Sequence, residues 1–269
     1  MKRIAPLFVL ALLGCSDLQR IYNGTAATQP HHKAVVSLHQ KGDKNIFCSG
    51  TMISKTVVLT AAHCLYPPPA ASSLWVYVGD NATTEVNPKF YDVAQVLVHP
   101  GYNEQTLVND IAMLKLTAEV PVEPVRALPK SLPFVEGDTG EPVNFAGFGK
   151  TEKGTYDQKL QVNGHAKINR GNPMTLYYTQ EAGGPCFGDS GGPAFVVRDG
   201  ARYVAGVTSY GDSACTAYGV STRVDSFEEF VVQLAPLPPP ASADAGTPDA
   251  GVLDAGTPAQ KPMSCGSIF

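Results

Sequence analysis

Three short stretches hold the residue types that nucleophilic chemistry needs. CFGDSGGPAF (186–195) sets Ser190 between Asp189 and Gly191, with Gly188 and Gly192 close by. Glycine permits backbone angles that a side chain forbids and lets a ligand approach the main chain. A nucleophilic serine needs that access, together with backbone N–H groups aimed at the oxyanion that develops on attack. Gly188 and Ser190 can provide two such donors. Taken alone, Gly-Asp-Ser-Gly also reads as a tight turn. TAAHC (60–64) adds His63, and NDIAMLKL (109–116) adds Asp110 at the mouth of an alternating strand. A serine, an imidazole and a carboxylate drawn from separate segments are what base-activated nucleophilic catalysis requires. His63 would accept the Ser190 proton, and Asp110 would hold the imidazole tautomer and stabilise the imidazolium.

The elements that must position these groups are short and extended. The chain has 269 residues, with 26 Gly, 22 Pro and only 16% charged residues, a mix that suits a turn-rich, mostly β, exported protein. At 43% hydrophobic residues it can build a real core. Its net charge of −4, with both signs interspersed, offers no basic stripe for nucleic acid. Strands rich in Val, Ile, Tyr and Thr are predicted at Ala34–His39, Thr51–Thr60, Leu74–Gly79, Asp92–Val98 and Ile111–Leu116. Others follow at Val143–Gly147, Lys159–Ile168, Pro193–Val197, Arg202–Ser209 and Gly219–Val224. Many short strands at near-regular spacing mean a sandwich or barrels. Only Asp225–Leu234 has helical spacing, with Asp225 or Ser226 as the expected N-cap.

LTAAHC, NDIAMLKL and GDSGGP, in that order, resemble the trypsin/chymotrypsin family of serine proteases. The chain order His, Asp, Ser matches that family and differs from subtilisins and α/β-hydrolases. IYNG (21–24), CSGTMIS (48–54), HPGYN (99–103), GFG (147–149) and TSYG (208–211) match as well, so the resemblance covers about residues 21–235. It implies an all-β fold of two six-stranded antiparallel barrels and a closing helix, with the active site between them. One barrel would carry His63 and Asp110, the other Ser190. It implies disulfides Cys48–Cys64 and Cys186–Cys215. It also implies a primary specificity pocket whose base is Gly184 and whose walls are Ser209, Tyr210, Gly211 and Gly219. With no acid at the base, large apolar or aromatic substrate side chains are expected. Pro185 beside the base, the short loop from Cys215 to Gly219, and Asp212 next to the pocket depart from the family pattern. So does the lack of any cysteine between Cys64 and Cys186, which makes Asn169–Gly184 the region expected to be looser.

The family is made as zymogens. Here cleavage after Arg20 would free the α-amino group of Ile21 to pair with Asp189, with Tyr22-Asn23-Gly24 in place of the usual Val-Gly-Gly. Upstream, Lys2 and Arg3 precede an apolar run from Ile4 to Gly14, too short to span a bilayer and right for a signal peptide. Leu12-Leu13-Gly14-Cys15 resembles a bacterial lipobox, which would acylate Cys15. The expected organisation is therefore a signal peptide at 1–14, a pro-segment at 15–20, a protease domain at 21–235 and a disordered tail at 236–269. That tail repeats DAGTP, DAGVL, DAGTP and ends near Cys265, for which no role is read. Such a protein would be an exported, membrane-anchored lipoprotein, or secreted once a trypsin-like activator cuts after Arg20. Its partners would be protein or peptide substrates. His31 and His32 read as a solvated strand end, and His39, His99 and His165 as ordinary strand or turn residues. No H-E-x-x-H cluster occurs, and neither metal nor cofactor is expected. A non-catalytic binding protein on the same fold and an esterase are the competing readings.

Overall fold

The computed structural model describes residues 21, 23–134, 139–150, 159–169 and 172–236. The signal segment, Cys15, Arg20, Tyr22 and the repeat tail with Cys265 lie outside them. The strands are β1 (Thr25–Ala26), β2 (Val35–Gln40), β3 (Ile46–Ser54), β4 (Val57–Thr60), β5 (Leu74–Val78), β6 (Lys89–Val98) and β7 (Ala112–Leu116). They continue as β8 (Arg126–Ala127), β9 (Thr139–Gly147), β10 (Leu160–Asn169), β11 (Asn172–Thr179), β12 (Pro193–Arg198), β13 (Ala201–Gly211) and β14 (Tyr218–Arg223). The first barrel closes in the order β2-β3-β4-β7-β6-β5, every neighbour antiparallel. The second runs β9-β10-β11-β14-β13-β12 and closes through β12 on β9. β1 adds to β10, and β8 runs parallel to β13. Closure leaves neither barrel with an open edge to pair with another chain. This is the chymotrypsin-like fold.

β-branched and aliphatic side chains line each interior. Val36, Leu38, Met52, Val58, Leu59, Val76 and Leu114 fill the first barrel. Phe145, Leu176, Tyr178, Val196 and Ala205 fill the second, and Ile21 is buried among them. The first core does not stop at its own wall. It takes in Phe195, Val204 and Val207 from the second barrel and Phe230 and Val231 from the C-terminal helix, so apolar burial joins the halves.

Several sequence expectations change here. Thr51–Thr60 is two strands, because the chain turns at Lys55 and Thr56 between β3 and β4. Asn172–Thr179, inside the segment expected to be loose, is a central strand of the second barrel, paired with β10 and β14. The closing helix is shorter than its hydrophobic spacing suggests: one 3₁₀ turn at Asp225–Phe227, then α1 (Glu228–Val231). Asp225 does not cap it. Its carboxylate is taken by the Arg223 guanidinium, through Nε at 3.1 Å and through Nη2.

Disulfides Cys48–Cys64 and Cys186–Cys215 both form. Each limits the freedom of the unfolded chain, by an amount that grows slowly with loop length. Replacing Cys48 and Cys64 together by alanine is expected to lower the unfolding free energy by about 3 kcal/mol, measured by denaturant titration. A change near zero would mean that the bridge does not constrain the unfolded chain.

Candidate active site

His63 sits in a single 3₁₀ turn, Ala62–Cys64, directly after β4. Asp110 precedes β7, and Asn109 before it takes φ 57°, which turns the chain sharply into the strand. The Asp110 carboxylate is fully buried and accepts the His63 backbone N–H on Oδ1 and Nδ1–H on Oδ2, each at 2.8 Å. That second bond leaves Nε2 as the unprotonated nitrogen of the neutral ring. The His63 side chain keeps 26% of its surface open to solvent. Ser209 on β13 donates its hydroxyl to the same Oδ2, and Thr222 on β14 donates to the Asp110 carbonyl at 2.9 Å. Ser209 was expected only as a pocket wall; its hydrogen bond to Asp110 has no sequence signature.

Ser190 comes from the second barrel but is held by the first. Ser49 on β3 donates its backbone N–H to the Ser190 carbonyl and its hydroxyl to the Gly188 carbonyl, both at 2.8 Å. Gly191 turns the chain at φ 81°, where a Cβ would lie 2.1 Å from Thr60 Oγ1 and 2.4 Å from the Ser49 carbonyl. Only glycine fits there. Gly188 has φ 92°. Neither the Gly188 nor the Ser190 N–H donates to any acceptor among the described residues. His63 and Ser190 line one pocket of about 290 Å³ with Tyr178, Gln180, Ser209 and Gly211. No hydrogen bond joins His63 to Ser190 Oγ among the described residues.

Asp189, next to the serine, is buried and accepts the Gly149 N–H at 2.7 Å and the Cys186 N–H at 2.9 Å. No cation meets it among the described residues, and burial pushes its carboxyl up to about 7. The other acid near the pocket is different. Asp212 accepts backbone N–H groups from Ala214, Thr216, Ala217 and Tyr218, and these hold its carboxyl below its ordinary range. The short loop before Gly219 is folded around that carboxylate, so both oxygens are already engaged.

The expected base of the pocket, Gly184, is covered. Gln180 folds its amide across it and donates Nε2–H to the Pro185 carbonyl at 2.7 Å. His31 and His32, expected at a solvated strand end, instead point at Asn144 Oδ1, at 3.3 and 2.8 Å. His32 is buried, and burial pushes His31 down to about 3. His63 also lies close to Cys48 and Cys64, but both sulfurs are spent in their disulfide and cannot ligate a metal.

Two closed barrels with this pocket in the seam define the class, a chymotrypsin-like hydrolase fold. Residues 21–231 match the family model described as Trypsin. Among similar proteins, a trypsin of Phaedon cochleariae is 34% identical over 206 residues, 69% of this chain and 77% of that protein. Duodenase-1 of Bos taurus is 31% identical over 247 residues, 84% and 93% of the two chains. CLIP domain-containing serine protease B4 of Anopheles gambiae is 30% identical over 215 residues, 68% of this chain, which covers only 60% of that longer protein. The chain belongs to the trypsin family of serine proteases, and its enzyme class is serine endopeptidase.

The fit around Asp189 is tight enough to test by one methyl group. A Cβ on Gly149 would lie 2.3 Å from Asp189 Oδ2 and 2.7 Å from its backbone nitrogen. Gly149→Ala is expected to cost about 1–3 kcal/mol of stability, read from denaturant unfolding. An unchanged midpoint would mean that the Asp189 pocket is looser than described.

Proposed function

We propose that Ser190, His63 and Asp110 act as a catalytic triad that hydrolyses peptide bonds through an acyl-enzyme. His63 Nε2 takes the Ser190 proton as Oγ attacks the scissile carbonyl. The imidazolium that forms is stabilised by the buried Asp110 carboxylate. The oxyanion is received by the Gly188 and Ser190 N–H groups. His63 then delivers the proton to the leaving amine, and water enters by the reverse route. The single observation that supports this best is the 2.8 Å bond from Nδ1 to Asp110 Oδ2 beneath a pocket shared with Ser190. The two backbone N–H groups without acceptors speak against a purely binding role for the fold, and the family match favours amide over ester substrates.

The enzyme is made as a zymogen in this reading. Cleavage after Arg20 frees the Ile21 amine, which supplies the cation that the buried Asp189 lacks. Ile21 has φ 48° in the intact chain, a conformation that a β-branched residue disfavours, and that torsion disappears when the preceding peptide bond is cut. Gly184 puts no acid at the base of the pocket to favour Arg, so a separate trypsin-like activator makes the cut. If Cys15 carries lipid, the same cut releases the enzyme from its membrane into an exported, soluble form. The bacterial origin rests on the lipobox-like Leu12–Cys15 alone, and the relatives named above are animal proteins. Among the described residues no helix is long and apolar enough to cross a membrane.

A fluorophosphonate is expected to label Ser190 once Ile21 is the free terminus. Ser190→Ala should abolish labelling and proteolysis, and Asp110→Asn should lower kcat about 10⁴-fold. Peptide hydrolysis that survives Ser190→Ala would refute the triad.

The sign of the pH effect follows from the pair. Pairing raises the folded α-amino pKa above its unfolded value of about 7.7–8.0. The stabilisation is then complete below that value and is lost as pH rises through the folded one. Before cleavage, Asp189 has a folded value raised to about 7 from 3.8, so the cost of its charge grows as pH climbs between them. The cleaved enzyme should lose activity reversibly in alkali. The uncleaved chain should gain stability as pH falls through about 7, and Asp189→Asn should remove that gain. Activity of the cleaved enzyme that stays flat through strong alkali would argue against the ion pair.

A further inference from the structure

Gln180 occupies the place from which this pocket would read a substrate side chain. A Cβ on Gly184 would lie 2.2 Å from Gln180 Nε2 and 2.5 Å from its Cγ, so the amide already fills the space of a base side chain. The residue is 1% exposed and held at several points. Its backbone N–H donates to the Ala217 carbonyl at 3.1 Å, its carbonyl accepts from the Gly183 N–H at 2.9 Å, and Nε2 donates to the Pro185 carbonyl at 2.7 Å. The last bond sets the direction of the amide. A carbonyl accepts only from the NH₂ side, so Oε1 must face the other way.

It faces the wall glycines. Oε1 lies 3.3 Å from the place where a Gly211 Cβ would stand and 2.7 Å from that of Gly219. No donor reaches it among the described residues. Gln180 lines the pocket that holds His63 and Ser190, so a ligand that brings a donor there can meet this acceptor. Among the described residues the one carboxylate that lines the pocket, Asp212, is solvent-screened and already bound by four backbone N–H groups, and Tyr178 and Thr208 complete the pocket with neutral hydroxyls.

We propose that Gln180 is the specificity-determining residue of this protease. Its Oε1 selects, at the position whose carbonyl is attacked (P1), an uncharged side chain with a hydrogen-bond donor near its tip. This deepens the endopeptidase reading and rests on it. It also revises the large apolar or aromatic preference inferred from Gly184, because the amide places an acceptor where an apolar floor was expected. Tyr is preferred over Phe, Asn over Leu, and Gln over Met, each pair being close in shape and differing in the donor. Lys and Arg are disfavoured because one neutral oxygen and a solvent-screened Asp212 compensate a desolvated charge poorly.

The test uses the full chain cleaved after Arg20 and peptide substrates that differ only at P1. The expected Tyr:Phe, Asn:Leu and Gln:Met ratios in kcat/KM are on the order of 10–100. Gln180→Met, which keeps the length and removes the acceptor, should bring each ratio close to one. Gln180→Glu should raise cleavage after Lys and Arg. Fluorophosphonate labelling of Ser190 in each variant reports whether the site still assembles. Labelled wild-type enzyme that cleaves Phe and Leu as well as Tyr and Asn would overturn the role of Gln180 and leave the endopeptidase standing. Ratios unchanged in a labelled Gln180→Met enzyme would do the same. If the wild type neither labels nor cleaves any of the peptides, the endopeptidase reading and this inference both fall.

Discussion

A carboxylate with no access to water is the constraint on which the arrangement turns. Asp110 belongs to the first barrel, yet it depends on both. His63 satisfies the carboxylate twice from its own side; from the other barrel Ser209 on β13 donates to the carboxylate and Thr222 on β14 to the Asp110 backbone carbonyl. An ionised group deprived of solvent is tolerable only when its lone pairs are met by well-placed donors. Docking the barrels therefore completes the set of donors around Asp110, and the apolar contact across the seam supplies the driving force for it. The serine loop is fixed by the converse arrangement. Ser49 of the first barrel grips the carbonyls of Gly188 and Ser190, on either side of Asp189.

The second buried carboxylate shows what the first avoids. Among the described residues Asp189 has two backbone donors and no cation, and burial raises its proton affinity accordingly. One acid is fully provided for as soon as the chain folds; the other is complete only when a charge arrives. In the proposed activation that difference separates folding from function. The chain reaches its barrels with the imidazole already oriented, while the loop carrying Ser190 awaits the Ile21 amine.

Sequence patterns carried the fold well, for identifiable reasons. The residues of the candidate site sit in short motifs whose glycines are dictated by close backbone approach, as Gly191 is by Thr60 and Ser49. The resemblance carried both cysteine pairings, and the two bridges form as it implied. What stayed hidden was decided across the chain. Strand β11 begins with Asn-Pro, which reads as a turn, and only its partners β10 and β14 make it a strand. The turn between β3 and β4 carries no Gly or Pro to mark it. Asp225 looks like a helix cap until Arg223 claims it. Gln180, Ser49 and Asp212 act through bonds to backbone atoms distant in sequence or within an irregular loop, and such bonds leave no pattern to read. Polar residues in strands and loops are common, and burial distinguishes only Gln180 and Ser49.

The central claim is that Asp110 fixes the His63 tautomer. Imidazole ¹⁵N NMR on the full chain, at a pH where the ring is neutral, reads it without any substrate. The account predicts the proton on Nδ1 and a bare Nε2 facing the pocket, with that preference lost in Asp110→Asn. A wild-type ring carrying its proton on Nε2, or a tautomer indifferent to the loss of the carboxylate, would contradict it.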